Sequence, residues 1–200
     1  MNTLALKVPT ELCTDRLLIR TPKPGDGMVV YEAICESINE LKPWIKFLQK
    51  TPTKENVEIL IIRYYIQFLQ RLTLSYLMFS KITGEFIGFL IFHEINWEIP
   101  KFEIGYWIHS KFSKKGYMTE GVRKLVEVAF EELKANRVEI RCAANNVQSH
   151  AIPEKLSFKL EGVLEMNDLT ANKKELSDTY IFAMTRPNYY LNLANSNREG

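Results

Sequence analysis

The segment from Phe102 to Gly121, FEIGYWIHSKFSKKGYMTEG, constrains the fold more than any other, because one short window demands a two-faced strand, a cationic turn and a helix in direct succession. Phe102, Ile104, Tyr106 and Ile108 alternate with Glu103, Gly105, Trp107 and His109, the period-two pattern of a strand whose faces meet different surroundings. Further on, Val122, Leu125, Val126, Ala129, Phe130 and Leu133 recur at helical spacing, so a helix starts near Tyr117 to Thr119. Backbone N–H groups at a helix start lack intrahelical partners and carry the positive end of the macrodipole, which suits a phosphate. Gly116 allows close backbone approach there, and Lys114 and Lys115 add positive charge. Taken alone, the window reads first as a solvated basic turn between a strand and a core helix.

Two hundred residues can bury one good core and are few for two, so a single domain over residues 1–186 is expected, followed by a polar, loosely held tail over 187–200. A hydrophobic fraction of 46% beside a charged fraction of 25% is that of a globular chain, not of a disordered or membrane one. The longest apolar runs, such as Phe86 to Phe92, fall far short of a bilayer, and the first twenty residues carry no basic start followed by a hydrophobic stretch. A soluble cytoplasmic protein without a membrane partner is the expectation. Cys13, Cys35 and Cys142 are scattered, and His93, His109 and His150 form no closely spaced pair, so neither a disulfide framework nor a metal site is expected. A net charge of +2 is too small to argue for direct nucleic-acid binding.

Along the chain, Arg16 to Thr21 reads as a first strand, and Pro22, Pro24 and Gly25 break it before an apolar-periodic segment from Met28 to Cys35. Thr53, with Asn56 three residues on, caps a second helical region that reaches toward Arg71. Trp44 and Phe47 lie between these helices and serve either the core or the wall of a pocket. Tyr76 to Lys81, Glu85 to Ile95 and Phe102 to Ile108 form an antiparallel meander. A helix from about Met118 to Lys134, with Asn136 as left-handed terminator, leads to a strand over Val138 to Cys142 that should lie parallel to the previous one. A short helix from Ser149 to Leu156 and two strands, Phe158 to Met166 and Thr179 to Thr185, complete a mixed α+β sheet.

Six separated segments then agree with one family. ELCTDRLLIR (Glu11 to Arg20), LKPW (Leu41 to Trp44), EIGYWI (Glu103 to Ile108), GYMTEGV (Gly116 to Val122), RVEIRCAANNVQS (Arg137 to Ser149) and KLSFKLEGVL (Lys155 to Leu164) resemble the GNAT superfamily of N-acetyltransferases, most closely its RimJ/RimL-type branch. The resemblance implies a mixed, centrally splayed sheet flanked by helices on both faces, with acetyl-CoA laid into the gap as co-substrate and no metal. It places the backbone of Trp107, Ile108 and His109 along the pantetheine arm and Lys114, Lys115, Gly116, Tyr117, Met118 and Thr119 around the pyrophosphate, with Asn146 fixing the cofactor arm or the turn after Cys142. It implies as acceptor the N-terminal amine of a protein or peptide, or alternatively a polyamine or aminoglycoside. Monomer and homodimer both stay open.

Acetyl transfer to an amine needs a base, an oxyanion site and an acid for the departing thiolate. In the resemblance, Ser149 is that acid, although a helix N-cap is its stronger ordinary role. Asp168 falls at the position of the base, Glu103 on the cofactor strand is its rival, and Asp178 matches an acidic position that orients a loop or binds substrate together with Trp44 and Phe47. An α-amine titrates near ~8 and a lysine near ~10.4, so a weak base favours the N-terminal acceptor. The chain departs from the family where the turn Q/R-G-x-G-x-G/A is met by Ser113 to Met118 with Gly116 as its one glycine, where Ser157 replaces a helix-ending glycine, and where Pro153 interrupts the short helix. These departures motivate a second reading, a noncatalytic acyl-CoA-binding module.

Overall fold

The computed structural model describes residues 6–196, so the first five and last four positions of the expected domain and tail lie outside it. Eight strands form one sheet: β1 (Glu11–Cys13), β2 (Leu17–Arg20), β3 (Leu74–Ser80), β4 (Phe86–Asn96), β5 (Lys101–Ile108), β6 (Arg137–Ala143), β7 (Lys159–Leu169) and β8 (Leu176–Thr185). Their order is β1-β2-β3-β4-β5-β6-β8-β7. Every pairing is antiparallel except that of β5 with β6. On one face lie α1 (Gly27–Glu36) and α3 (Lys54–Leu69), packing Val30, Ile34, Val57 and Ile61 against Leu77, Phe86 and Phe89, with the short α2 (Ile38–Leu41) between them. The other face carries α4 (Tyr117–Glu127), whose Val122 and Leu125 are fully buried against the sheet. That helix sits so close that a β-carbon at Gly121 would meet the Met78 sulfur at 2.5 Å. Among the described residues no helix is long and apolar enough to cross a membrane.

The parallel pair is short. β5 and β6 are in register only at Lys101 with Arg137, Phe102 with Val138 and Glu103 with Glu139, after which they part while each keeps its outer partner, β4 or β8. The last pair sets two carboxylates side by side, a poor place to continue a ladder. Glu139 is buried and is held by Arg137 at 2.6 Å, Arg141 at 2.8 Å and Lys101 at 3.3 Å. Burial opposes its ionisation, but those three cations outweigh it and hold the carboxyl down at about 2.

Three local expectations change. The long helix ends as α4 at Glu127 and continues as one wide π-turn, Val128–Glu132, that keeps Val128, Ala129 and Phe130 buried together. Lys134, at φ 56°, takes the left-handed terminating conformation in place of Asn136. The expected loose chain after Pro187 is instead α6 (Arg186–Ser196), anchored by the Tyr189 ring stacked 4.6 Å from Phe130 and by Arg186 donating to the Ala135 carbonyl at 2.8 Å.

Helix α5 (Val147–Lys155) begins two residues earlier than its sequence suggests, because Asn146 and not Ser149 is the N-cap, accepting the Ser149 N–H at 3.2 Å. Pro153 sits in its later half and cannot donate to the carbonyl of Ser149 four residues back. The Tyr106 hydroxyl takes the vacated place, donating to that carbonyl at 2.8 Å. A proline that would otherwise orphan a backbone acceptor thus ties α5 to β5.

Two outcomes are expected from these contacts. Glu139→Gln should lower the unfolding free energy at pH 7 by about 3 kcal/mol, since it leaves clustered cations without their anion. Because the folded carboxyl titrates below the unfolded one, that stabilisation is complete above pH 4.5 and is lost toward about 2, so denaturant titrations of parent and variant should converge over this range. Tyr106→Phe should cost about 1–2 kcal/mol by orphaning the Ser149 carbonyl, and Pro153→Ala, which restores the helical donor, should recover most of it in the double variant.

Candidate active site

Where β5 and β6 part, two cavities meet. A slot of about 390 Å³ runs between β5 and α5 and is lined by Trp107, Ile108, Lys114, Gly116, Met118 and Thr119 among others. A wider cleft of about 940 Å³ lies beyond it, bounded by Glu103, Arg141 and Cys142 on the strands and by Lys46 and Asp168 at its rim. Trp44, Ile45, Tyr106, Asn146 and Ser149 line both.

The slot has an unpaired backbone edge. His109 donates its N–H to the Ile87 carbonyl at 2.9 Å, so by the alternation of an antiparallel ladder Trp107 also bonds β4, while Tyr106 and Ile108 turn their backbone groups toward the gap. Of the three residues whose backbone the resemblance places along the cofactor arm, Ile108 turns its groups to the gap, as Tyr106 does, while Trp107 and His109 turn theirs to β4. His109 lies apart, with its ring against the Glu36 carboxylate at 2.9 Å. At the far end, Lys114 at φ 60° and Gly116 at φ 82° shape the turn that opens α4, whose first N–H groups, from Tyr117 to Thr119, have no helical acceptor. Lys114, Gly116, Met118 and Thr119 face the slot. Lys115 instead lays its ammonium 5.5 Å from the Phe112 ring, and the Tyr117 ring stacks beneath Arg16 at 4.2 Å. A narrow slot with free strand groups along one wall and unpaired amides plus a lysine at one end fits an extended arm ending in a pyrophosphate.

The junction carries the polar chemistry. Asn146 relieves Ser149 of capping, and the Ser149 hydroxyl lies 3.4 Å from that of Tyr106. Burial pushes the Tyr106 hydroxyl above its ordinary range. Burial likewise pushes the Cys142 thiol up to about 11, so it stays protonated at neutral pH and is a poor nucleophile. In the wide cleft, burial pushes the Glu103 carboxyl up to about 7 against the pull of Arg141, 3.4 Å away, and with help from the charge of Glu139. His93, 3.7 Å from Glu103, is shifted down by its own burial.

The remaining candidates are placed differently. Asp168 accepts two bonds from the Lys46 ammonium, at 2.7 and 2.8 Å, and this contact holds its carboxyl below the ordinary range. Asp178 accepts the Met166 N–H at 2.8 Å and steadies the irregular β7–β8 pairing; it lines neither cavity. Phe47, half exposed on the 3₁₀ turn Lys46–Gln49, lines neither cavity, in contrast to Trp44. Tyr106, Lys46, Arg141 and Arg16 escaped the sequence reading. Tyr106 left a signal as one of the regularly spaced residues of β5, and Arg16 and Arg141 stand within segments that resemble the family, without a role assigned to them.

Comparison with known proteins identifies the family and the fold. Residues 16–159 match the family described as the acetyltransferase (GNAT) domain. YdaF of Bacillus subtilis (strain 168), named as a ribosomal N-acetyltransferase, is 33% identical over 152 residues, covering 74% of this chain and 80% of its own. The N-acetyltransferase p20 of Bacillus licheniformis is 29% identical over 183 residues, covering 89% and 97%. Among solved structures, RimL, a ribosomal alpha-N-protein acetyltransferase in complex with coenzyme A, superposes with a TM-score of 0.81 at 19% identity, covering 90% of this chain and 98% of its own. The splayed sheet, the two meeting cavities and these matches lead to one conclusion: the chain belongs to the GNAT acetyltransferase family and is an N-acetyltransferase.

Proposed function

We propose that this enzyme transfers acetyl from acetyl-CoA directly to the N-terminal amine of a protein or peptide, within a ternary complex. One observation carries the reading: the cofactor-shaped slot and the wide, polar cleft meet at Ser149 and Tyr106, with Glu103 on the cleft side. The slot residues fit the cofactor, which when bound supplies a thioester carbonyl as electrophile. Tyr106 and Ile108 hold the arm through their backbone, and the start of α4 with Lys114 holds the phosphates. Glu103, with its carboxyl near 7, accepts the proton of the acceptor amine, directly or through one water. Ser149 donates its hydroxyl proton toward the departing sulfur and is placed for this by Asn146 and Tyr106. Asp168 is ion-paired and exposed, which suits acceptor binding at the rim better than proton abstraction. A protonated Cys142 supports direct transfer over an acetylated enzyme. The protein acceptor is further supported by the relatives named for ribosomal-protein acetylation.

Incubation with acetyl-CoA and a panel of N-terminal peptides, polyamines and aminoglycosides should release free CoA fastest with a peptide. CoA binding without turnover on any acceptor would leave a noncatalytic module in its place. Ser149→Ala should lower kcat by about 10²-fold with the Kd for CoA within about twofold. For the parent, log kcat should rise with pH to a plateau above an apparent pKa of about 7, the base being active once ionised, and Glu103→Gln should remove that limb.

A further inference from the structure

The turn at the end of the slot is an improbable shape for its sequence. Lys114 is a non-glycine residue at φ 60°, which costs of order 1 kcal/mol, and two residues later Gly116 is again left-handed at φ 82°. The backbone bonds around the turn, Ser113 N–H to the Ser110 carbonyl and Glu120 N–H to the Gly116 carbonyl, do not hold Lys114 or Lys115. The restraint comes from the opposite end of the chain. Arg16, the residue before β2, donates from one guanidinium nitrogen to the Lys115 carbonyl at 3.1 Å and lies 4.2 Å over the Tyr117 ring. Its other nitrogens hold the Glu120 carboxylate at 2.6 Å, and the Arg16 backbone N–H reaches the same carboxylate at 3.1 Å, with the Thr14 hydroxyl alongside. One side chain thus grips both the turn and the first turn of α4.

The grip has a directional consequence. A trans peptide sets its C=O and N–H on opposite sides, so fixing the Lys115 carbonyl toward Arg16 aims the Gly116 N–H away from it. Holding Glu120 and Tyr117 at the same time fixes α4, and with it the orphan amides of its first turn, relative to Gly116. We propose that Arg16 is a positioning residue for phosphate binding: through Lys115, Tyr117 and Glu120 it holds the amides of the turn and of α4 in a converging array. The proposal rests on the reading of the slot as a coenzyme A site. Arg16 acts here without touching the phosphates, and Glu120, an anion beside an anion site, is tolerated because Arg16 neutralises it.

The probes are CoA, which carries the pyrophosphate, and pantetheine, which has the arm alone. Their dissociation constants are measured by calorimetry and, for the weaker ligand, by ligand-observed NMR, on the parent, Arg16→Met, Glu120→Gln and the double variant. The expected result is that the preference for CoA over pantetheine falls about tenfold in Arg16→Met, falls in the same direction in Glu120→Gln, and is no lower in the double variant than in Arg16→Met. An unchanged preference in either single variant overturns the proposal, as does an equal loss of both ligands. If Arg16→Met does not fold, the Glu120→Gln comparison decides alone. A parent protein that binds both ligands equally would sink the coenzyme A reading as well, whereas a parent that prefers CoA beside variants that keep the preference sinks only the role of Arg16.

Discussion

Everything in the site depends on β5 and β6 ceasing to pair after Glu103 and Glu139. In a continuous sheet the inner edges of both strands would be consumed by each other, and no groove would exist. Parting them leaves backbone donors and acceptors at Tyr106 and Ile108 facing inward, and unpaired groups in such a place call for another partner. The same step that opens the slot also exposes Glu103 to the wider cleft while leaving Glu139 buried. Fold and chemistry therefore share one cause, the place where Glu103 and Glu139 meet across two strands.

Three carboxylates, Glu103 and Asp168 in the cleft and Glu139 behind it, show how surroundings, and not residue type, assign roles. Glu139 is the most buried, yet three cations outweigh its desolvation and it stays ionised to about 2. Glu103, one strand away, has the more distant share of Arg141 and feels the charge of Glu139, so burial wins and its carboxyl rises to about 7. Asp168 is exposed and occupied by Lys46, which pulls it the other way. Two strongly paired carboxylates and one loosely paired one leave Glu103, of the three, able to exchange a proton near neutrality.

Much of this was legible in the chain. The alternation in β5 and the helical spacing after Tyr117 located the slot, and Thr53 capped α3 as its hydroxyl suggested, accepting the Asn56 N–H. The periodicity of β5 could not tell which of its backbone groups were free, because that depends on register with β4. Arg16 and Lys46 lie far in sequence from the groups they hold, Glu120 and Asp168, so no local pattern announces them. The tail misled for a related reason: its asparagines and tyrosines suggest loose chain, and only the ring of Phe130, more than fifty residues earlier, gives Tyr189 a surface to bury.

The departures from the family's glycine pattern are absorbed, not merely tolerated. Lys114 and Ser157 keep the left-handed conformation that glycine would adopt freely, at φ 60° and 61°. At Ser157 the end of α5 supplies the restraint, since its N–H reaches Glu154 and the following N–H of Phe158 reaches Pro153. Lys114 follows only the three-residue 3₁₀ turn Ser110–Phe112 and has Arg16 reaching across to the next residue. A side chain at a glycine position costs about 1 kcal/mol, while the Arg16 bond to the Lys115 carbonyl and its bonds to the Glu120 carboxylate offset that. With lysine at 114, the shape of the turn depends on Arg16, a contact that a substitution elsewhere in the chain can remove.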